Sequence, residues 1–79
     1  MKIRLLYFAS LADRAGRSTE ERETVAATPR ALYAEVTAAH DFTMTAERIR
    51  VAVNGAFVGW EHALADNDEV VFLPPVSGG

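Results

Sequence analysis

The sequence has no cysteine and no long apolar run. Without cysteine, no disulfide can staple the fold, no thiolate metal site can form, and no persulfide can be carried on a side chain of this chain. No apolar stretch approaches the roughly 20 residues of a membrane span, and the N-terminus lacks the cleavage site of a signal peptide. We therefore expect a cytoplasmic protein with no membrane contact.

Basic residues are missing from the C-terminal third. All eight lysines and arginines lie at or before Arg50, and the residues after it carry only acids besides His62, namely Glu61, Asp66, Asp68 and Glu69. Nucleic-acid binding depends on clustered lysine and arginine, so we expect no nucleic-acid partner. The acidic third fits either docking against a basic protein surface or an ordinary solvated edge, and both interpretations stay open.

The groupings of side chains that typify enzymes are also absent. His40 and His62 stand alone in the sequence, and we interpret both as surface histidines. The acidic turn at 66–69 lacks the glycine and the distal glutamate of a calcium loop. The sequence has neither a glycine-rich phosphate loop nor a serine elbow motif. We therefore predict no metal site and no catalytic side chain.

What the chain contains suits one compact domain, with 49% hydrophobic and 24% charged residues. Residues 2–9 predict a first strand with Ile3, Leu5 and Tyr7 on one face. Ser10 is the predicted N-cap of a short helical turn over 11–15, which Gly16 ends. Residues 17–25 predict a second strand.

The main helix is predicted over 29–39. Thr28 can cap its free amides, and Pro29 suits the first helical position. An apolar stripe of Leu32, Val36 and Ala39 follows at helical spacing, with Tyr33 at its border. A loop over 40–46 should follow.

The remaining chain predicts three strands. Residues 48–54 alternate as a strand does, and Asn54-Gly55 supplies the positive φ angles of a type I′ turn into a strand over 56–60. A turn over 65–68 precedes a last strand over 69–73, which Pro74-Pro75 terminates.

Together these elements predict an α+β fold. One main crossover helix and a short helical turn accompany a mixed sheet. We expect the ubiquitin-like β-grasp arrangement, in which the first and last strands are adjacent in the centre, and that strand order rests on resemblance to the fold rather than on the sequence pattern. We divide the chain into a domain over 1–73 and a flexible tail over 74–79.

The tail is the best candidate for chemistry. Pro74 and Pro75 direct the following residues away from the domain, and Gly78-Gly79 has no side chains. Such an end suits a carboxylate that enters a narrow channel in another protein's active site. A frayed terminus of no function is the alternative.

A possible docking surface adjoins this tail. If the core-facing strand residues point at the helix, the opposite sheet face is lined by Leu6, Phe8, Ala52, Val71 and Leu73. No second helix is predicted to cover that face, so it should be an exposed apolar patch that binds a protein. The alternative is that residues 11–16 cover part of it.

Four segments of the sequence resemble one family, the small subunit of molybdopterin synthase, a ubiquitin-like sulfur carrier. The resemblance is carried by residues 3–9 (IRLLYFA), 51–54 (VAVN), 64–70 (LADNDEV) and 72–79 (FLPPVSGG). A double glycine alone is weak, but Pro-Pro-Val-Ser before it makes the motif specific.

The resemblance implies a sulfur cycle centred on Gly79. A ubiquitin-activating-like adenylyltransferase would use ATP and magnesium to form an acyl-adenylate on the Gly79 carboxylate. Sulfur from a cysteine-derived persulfide, supplied by a sulfurtransferase, would then displace AMP, and the product would be a Gly79 thiocarboxylate. The tail, namely Pro75, Val76, Ser77 and Gly78, would then enter the large synthase subunit. There the sulfur would attack cyclic pyranopterin monophosphate.

The resemblance also implies how the subunits divide the work. The catalytic side chains are expected on the large subunit, no cofactor is bound permanently by this chain, and two small subunits would flank a dimer of large ones. Family interface positions correspond to Phe8 and Leu73, beside which Leu6 and Val71 complete the predicted partner-binding set. At position 73 an aromatic residue is common in the family, so leucine is a departure.

Three other functions remain open from the sequence. The chain could carry sulfur for thiamine or cysteine synthesis, or modify proteins through an isopeptide bond at Gly79. In the latter case Lys2, the only lysine, would limit chain building. The third is a non-catalytic ubiquitin-like interaction module with an inert tail.

Overall fold

A computed structural model describes residues 1–75 of the chain. Its elements follow in this order: β1 (Lys2–Tyr7), α1 (Ala9–Ala15), β2 (Thr19–Glu23), α2 (Pro29–His40), a short 3-10 helix (Ala46–Arg48), β3 (Arg50–Val53), β4 (Ala56–Val58) and β5 (Glu69–Leu73). The strands form one sheet in the order β2-β1-β5-β3-β4. The prediction of a mixed sheet with one main crossover helix is confirmed.

The first and last strands are neighbours at the centre of the sheet. β1 pairs with β5 in parallel, with Leu5 opposite Val70, whereas β2, β3 and β4 pair with their neighbours antiparallel. A parallel pair needs a crossover connection, and here the chain between β1 and β5 includes α2. The β-grasp prediction therefore holds at the level of strand pairing.

The core lies between the sheet and α2. The alternation predicted for β1 is confirmed, because Ile3, Leu5 and Tyr7 are all buried. The largest side chains that join them are Leu32, Val36, Val51, Val70 and Phe72. Each such side chain contributes about 1.5–3 kcal/mol when it is fully removed from water.

Helix α2 begins where the sequence predicts. The Thr28 hydroxyl accepts a hydrogen bond from the Ala31 amide, and Pro29 occupies the first turn. The predicted apolar stripe needs one correction: Ala39 is exposed, whereas Tyr33 is buried. Tyr33 can be buried because its hydroxyl donates to the Met44 carbonyl at 2.7 Å and so keeps a hydrogen-bond partner.

The predicted capping of α1 is wrong. The strand passes directly into the helix, so that Phe8, in extended conformation, is the N-cap residue and Ser10 lies inside the first turn. The Phe8 carbonyl accepts hydrogen bonds from the amides of Leu11 and Ala12. The end of α1 agrees with the prediction, because Gly16 adopts the left-handed conformation with φ 75°.

The turn between β3 and β4 agrees with the sequence. Asn54 and Gly55 have φ angles of 52° and 88°, as a type I′ turn requires. The strands themselves are shorter than predicted, with β2 confined to Thr19–Glu23, β3 to Arg50–Val53 and β4 to Ala56–Val58. Strand β5 has the predicted bounds.

Candidate docking surface and the root of the tail

A continuous apolar row crosses the face of the sheet opposite α2. Leu6 lies opposite Val71 on β5, Val71 lies opposite Ala52 on β3, and Ala52 lies opposite Phe57 on β4. Strand side chains alternate, and the chain neighbours of Leu6, Val71 and Ala52 are all buried in the core, so these three residues point outward. Phe57 lies on the same face because it is paired with Ala52. We call this face of the sheet, with Phe8 and Leu73 at its end, the outer face.

The aromatic residues of the outer face are the most exposed. Phe57 is 65% exposed and Phe8 is 47% exposed, while Leu6, Val71 and Leu73 are partly exposed. Ala52 is buried, because it is small and lies between larger neighbours. Contiguous exposed apolar surface of this kind marks interaction sites in soluble proteins. The structure thus brings together the predicted residues Leu6, Phe8, Val71 and Leu73.

Phe57 is a member of this surface that the sequence analysis did not assign. The signal was present, because the Asn54-Gly55 turn fixes the register of the hairpin and so places Phe57 opposite Ala52. The alternative that α1 covers the outer face is not supported. Leu11, the buried residue of α1, joins the core cluster instead.

The root of the tail lies at the end of the outer face. Tyr7 and Phe72 form the last pair between β1 and β5, and Phe8 and Leu73 each follow that pair directly. Pro74 and Pro75 come after the strand, with Pro75 exposed. The candidate residues Val76, Ser77, Gly78 and Gly79 lie outside the described residues, so their assigned roles and the division into a domain and a tail stay predictions.

The acidic residues near β5 serve the fold. The buried Asp68 carboxylate accepts hydrogen bonds from the Asn54 side chain at 2.9 Å and the Ala65 amide at 2.8 Å. Asp66 accepts one from the Lys2 amide at 2.7 Å. Glu61 pairs with Arg30 at 2.6 Å, an exposed contact of little energetic weight. These contacts favour a structural role for the acids over a surface reserved for a basic partner.

A polar cluster on the α2 side of the sheet contains His40, which the sequence analysis placed at the surface. Glu20 accepts hydrogen bonds from the Tyr7 hydroxyl at 2.8 Å and from Arg22 at 3.1 Å, and it contacts the His40 ring nitrogen Nε2 at 2.9 Å. The expectation that His40 is a surface residue is wrong, because its side chain is only 16% exposed. Its ring also packs edge-on against Tyr7.

The pKa values in this cluster follow from its hydrogen bonds. Burial by itself would raise the pKa of the Glu20 carboxyl, but hydrogen bonds from His40, Tyr7 and Arg22 outweigh that effect and hold it below its ordinary value. Burial, followed by the bond to Glu20, raises the pKa of Tyr7. Arg22 in turn lowers the pKa of Glu35, to which it bonds at 2.5 Å. The polar groups of this cluster therefore satisfy one another's hydrogen bonds.

Neither a metal nor a membrane is suggested by the described residues. Across positions 1–75, no three histidine or carboxylate side chains are arranged to hold a metal ion. No helix in the same range has the length and apolar character needed to cross a bilayer.

Comparison with known proteins agrees with this geometry. The ThiS family matches residues 5–79. This chain belongs to the ThiS family. Within it, the chain is similar to the molybdopterin synthase sulfur carrier subunit of Escherichia coli, with 34% identity over 98% of this chain and 99% of that protein. The resemblance stated from the sequence is thereby confirmed.

Solved structures confirm the ubiquitin-like fold of this ThiS-family chain. SAMP1 from Haloferax volcanii superposes with a TM-score of 0.82 at 29% identity over all of both chains. A putative molybdopterin converting factor subunit 1 from Pyrococcus furiosus gives 0.79 at 31% identity, covering 96% of this chain and 99% of that one. A neighbour from Helicobacter pylori, 20% identical with a TM-score of 0.70 over the full length of both chains, comes from a complex of subunits 1 and 2 of molybdopterin-converting factor and shows the fold alone.

Proposed function

We propose that this chain is the sulfur carrier subunit of a molybdopterin synthase. The observation that carries the proposal is the position of the outer face: its apolar row runs onto β5, and β5 leads directly into the tail. A partner that covers Val71 and Leu73 is thereby placed beside the root of the tail. Docking and delivery of the terminal carboxylate can then depend on one strand.

The chemistry we propose takes place at Gly79. An adenylyltransferase, with ATP and magnesium, activates the carboxylate as an acyl-adenylate, because AMP is a much better leaving group than oxide. The terminal sulfur of a persulfide on a sulfurtransferase then displaces AMP and forms an acyl disulfide with the chain. A thiol reductant cleaves the S–S bond, is itself oxidised to a disulfide, and leaves a thiocarboxylate on Gly79. The cysteine-free chain cannot supply that persulfide itself, so sulfur must come from a partner.

The second half of the cycle uses the large synthase subunit. We propose that Pro75, Val76, Ser77 and Gly78 enter its active site, where the thiocarboxylate sulfur attacks cyclic pyranopterin monophosphate. The outer face, with Leu6, Phe8, Phe57, Val71 and Leu73, would bind the large subunit and, at another stage, the adenylyltransferase. We place the cycle in the cytoplasm, with two small subunits flanking a dimer of large ones.

The test is the intact mass of the chain after incubation with the host's adenylyltransferase, ATP, magnesium, a sulfurtransferase and cysteine. We expect a gain of about 16 Da, from sulfur replacing oxygen, in the full-length chain. A chain without Gly78 and Gly79 is the matched control and should gain nothing. No mass change in the full-length chain, under conditions that charge a known carrier, would refute the sulfur chemistry.

Protein modification is a second candidate. It is favoured by the similarity to SAMP1, whose full name is small archaeal modifier protein 1. The same activated carboxylate would then form an amide with a lysine of another protein. Mass spectrometry of host proteins can decide between the two, because a modifier leaves the last residues of this chain attached to lysine side chains. Thiamine or cysteine synthesis differs only in the acceptor, and is tested by supplying the charged carrier to each acceptor enzyme.

A further inference from the structure

Within residues 1–75, one arginine on the outer face forms no ion pair with a carboxylate. Arg50 lies on β3 opposite Leu73, the last strand residue before the tail, and is exposed. Its guanidinium carbon sits 5.2 Å from the centre of the Phe57 ring, a cation–π arrangement. The strand register and the ring contact place the guanidinium between the apolar row and the root of the tail.

The other arginine on this face differs from Arg50. Arg4, at the opposite end of the central strands, pairs with Glu69 at 3.7 Å. Glu69 also lies opposite Arg4 in the sheet register, so the pair spans the two central strands. Among residues 1–75, by contrast, Arg50 forms no ion pair with a carboxylate. Of the two arginines on the outer face, the one far from the root of the tail is paired, and the one beside it is unpaired within residues 1–75.

Covering the outer face with an apolar partner would bury this cation. Removing an unpaired charge from water is unfavourable, whereas a carboxylate placed opposite restores the lost interactions. The planar guanidinium, already held on the Phe57 ring, suits two parallel hydrogen bonds to one carboxylate. A partner that covers both Leu73 and Phe57 therefore needs an acid at the position between them.

We infer that the protein partner of the outer face presents an aspartate or glutamate to Arg50, and that Arg50 determines which partner docks. The inference rests on the proposed function, because it takes the large synthase subunit as that partner. Apolar contact through Phe57 and Leu73 would supply area, and the Arg50 pair would fix register and exclude partners with a cation or an apolar residue at that position.

The experiment measures the Kd of this chain for the host's large synthase subunit by calorimetry at several salt concentrations. Arg50→Gln should weaken binding by about 30-fold and flatten the salt dependence, because a carboxylate on the partner is left buried without its cation. Arg30→Gln is the matched control: it removes the same charge from α2, on the opposite side of the sheet, and should leave the Kd unchanged. Circular dichroism should show both variants folded.

A second variant separates the inference from a purely apolar interface. Arg50→Leu should also weaken binding if the partner presents a carboxylate, and an Asp→Lys or Glu→Lys change on the partner should restore binding to Arg50→Glu. Tighter binding by Arg50→Leu, or equal Kd values for Arg50→Gln and Arg30→Gln, would overturn the inference. So would sedimentation showing that a second copy of this chain occupies the face.

The two proposals fail in different ways. If the wild-type chain does not bind the large subunit at all, the proposed function is wrong and the inference falls with it. If the wild-type chain binds and gains sulfur, but Arg50→Gln binds equally well, only the inference is wrong.

Discussion

Phe57 and Phe8 are large apolar side chains that the fold leaves in water. Neither belongs to the core cluster, because both lie on the outer face. Val25 is another exposed apolar residue, at 96% exposed, but it follows β2 and lies away from the apolar row. The three residues therefore allow a comparison between exposed apolar residues on the outer face and one elsewhere.

Replacing Phe57 with aspartate should reduce affinity for the large synthase subunit by about 30-fold or more, as expected for an aromatic anchor of an interface. Phe8→Asp should have a similar effect. Val25→Asp is the matched control and should bind as the wild type does. Calorimetric titration gives the three Kd values, and equal losses for Phe57→Asp and Val25→Asp would argue against docking through the outer face.

At the scale of elements, the polar cluster around Glu20 ties the end of α2 to the sheet. His40 is the last residue of α2, Tyr7 belongs to β1, and Glu20 belongs to β2. One carboxylate thus joins three elements through hydrogen bonds of 2.8 to 3.1 Å. Because both charged and neutral partners bond to it, the cluster should contribute to stability mainly while Glu20 is ionised.

Glu20→Gln should lower the free energy of unfolding by about 1–3 kcal/mol near pH 7. The pKa of Glu20 is lowered by folding, so its contribution is complete above the pKa of the unfolded chain and is lost as pH falls through the lower folded value. Wild-type stability should therefore decline from about pH 5 downward, and the variant should lose less over that range. Urea unfolding at several pH values measures this.

Glu21→Gln provides the control for that pH profile, because Glu21 is exposed on the other face of β2. The Glu21→Gln variant should have the wild-type free energy of unfolding at pH 7. That free energy should also fall in acid as it does for the wild type. A Glu20→Gln profile parallel to the wild-type profile would show that other groups cause the acid dependence.

Sequence patterns predicted the elements more accurately than their ends or their cross-connections. Alternation in β1 and the Thr28-Pro29 start of α2 are local signals, and both were confirmed. The Ser10 cap was wrong because the choice between Phe8 and Ser10 depends on where β1 stops pairing with β5. His40 was misplaced for a similar reason, since its partners Glu20 and Tyr7 are distant in sequence and meet only through strand register.

The candidate site was predictable to a different degree. The outward residues of β1 and β5 follow from alternation alone, which is why Leu6 and Val71 were found. Phe57 needed the register of a three-residue strand, and the isolation of Arg50 needed the distances between side chains. Such distances depend on the folded sheet rather than on any local pattern.

At the scale of the whole molecule, β5 ends at Leu73, and Phe72 is the last residue of the described core cluster. We predict that the free energy of unfolding of a chain ending at Pro75 differs from that of the full-length chain by no more than about 0.5 kcal/mol, the range of ordinary surface substitutions. Thermal and urea unfolding of the two chains check this. A larger loss would mean that residues 76–79 belong to the folded domain.

The parallel pairing of β1 with β5 also governs how the domain responds to mechanical load. A partner that grips the tail pulls on β5, whose neighbours on its two sides are β1 and β3. If the N-terminal end is held, β1 and β5 are drawn in opposite directions along their length. The hydrogen bonds between parallel strands are then sheared together rather than opened one at a time. The strand that carries the tail is thus anchored where the sheet best resists extraction.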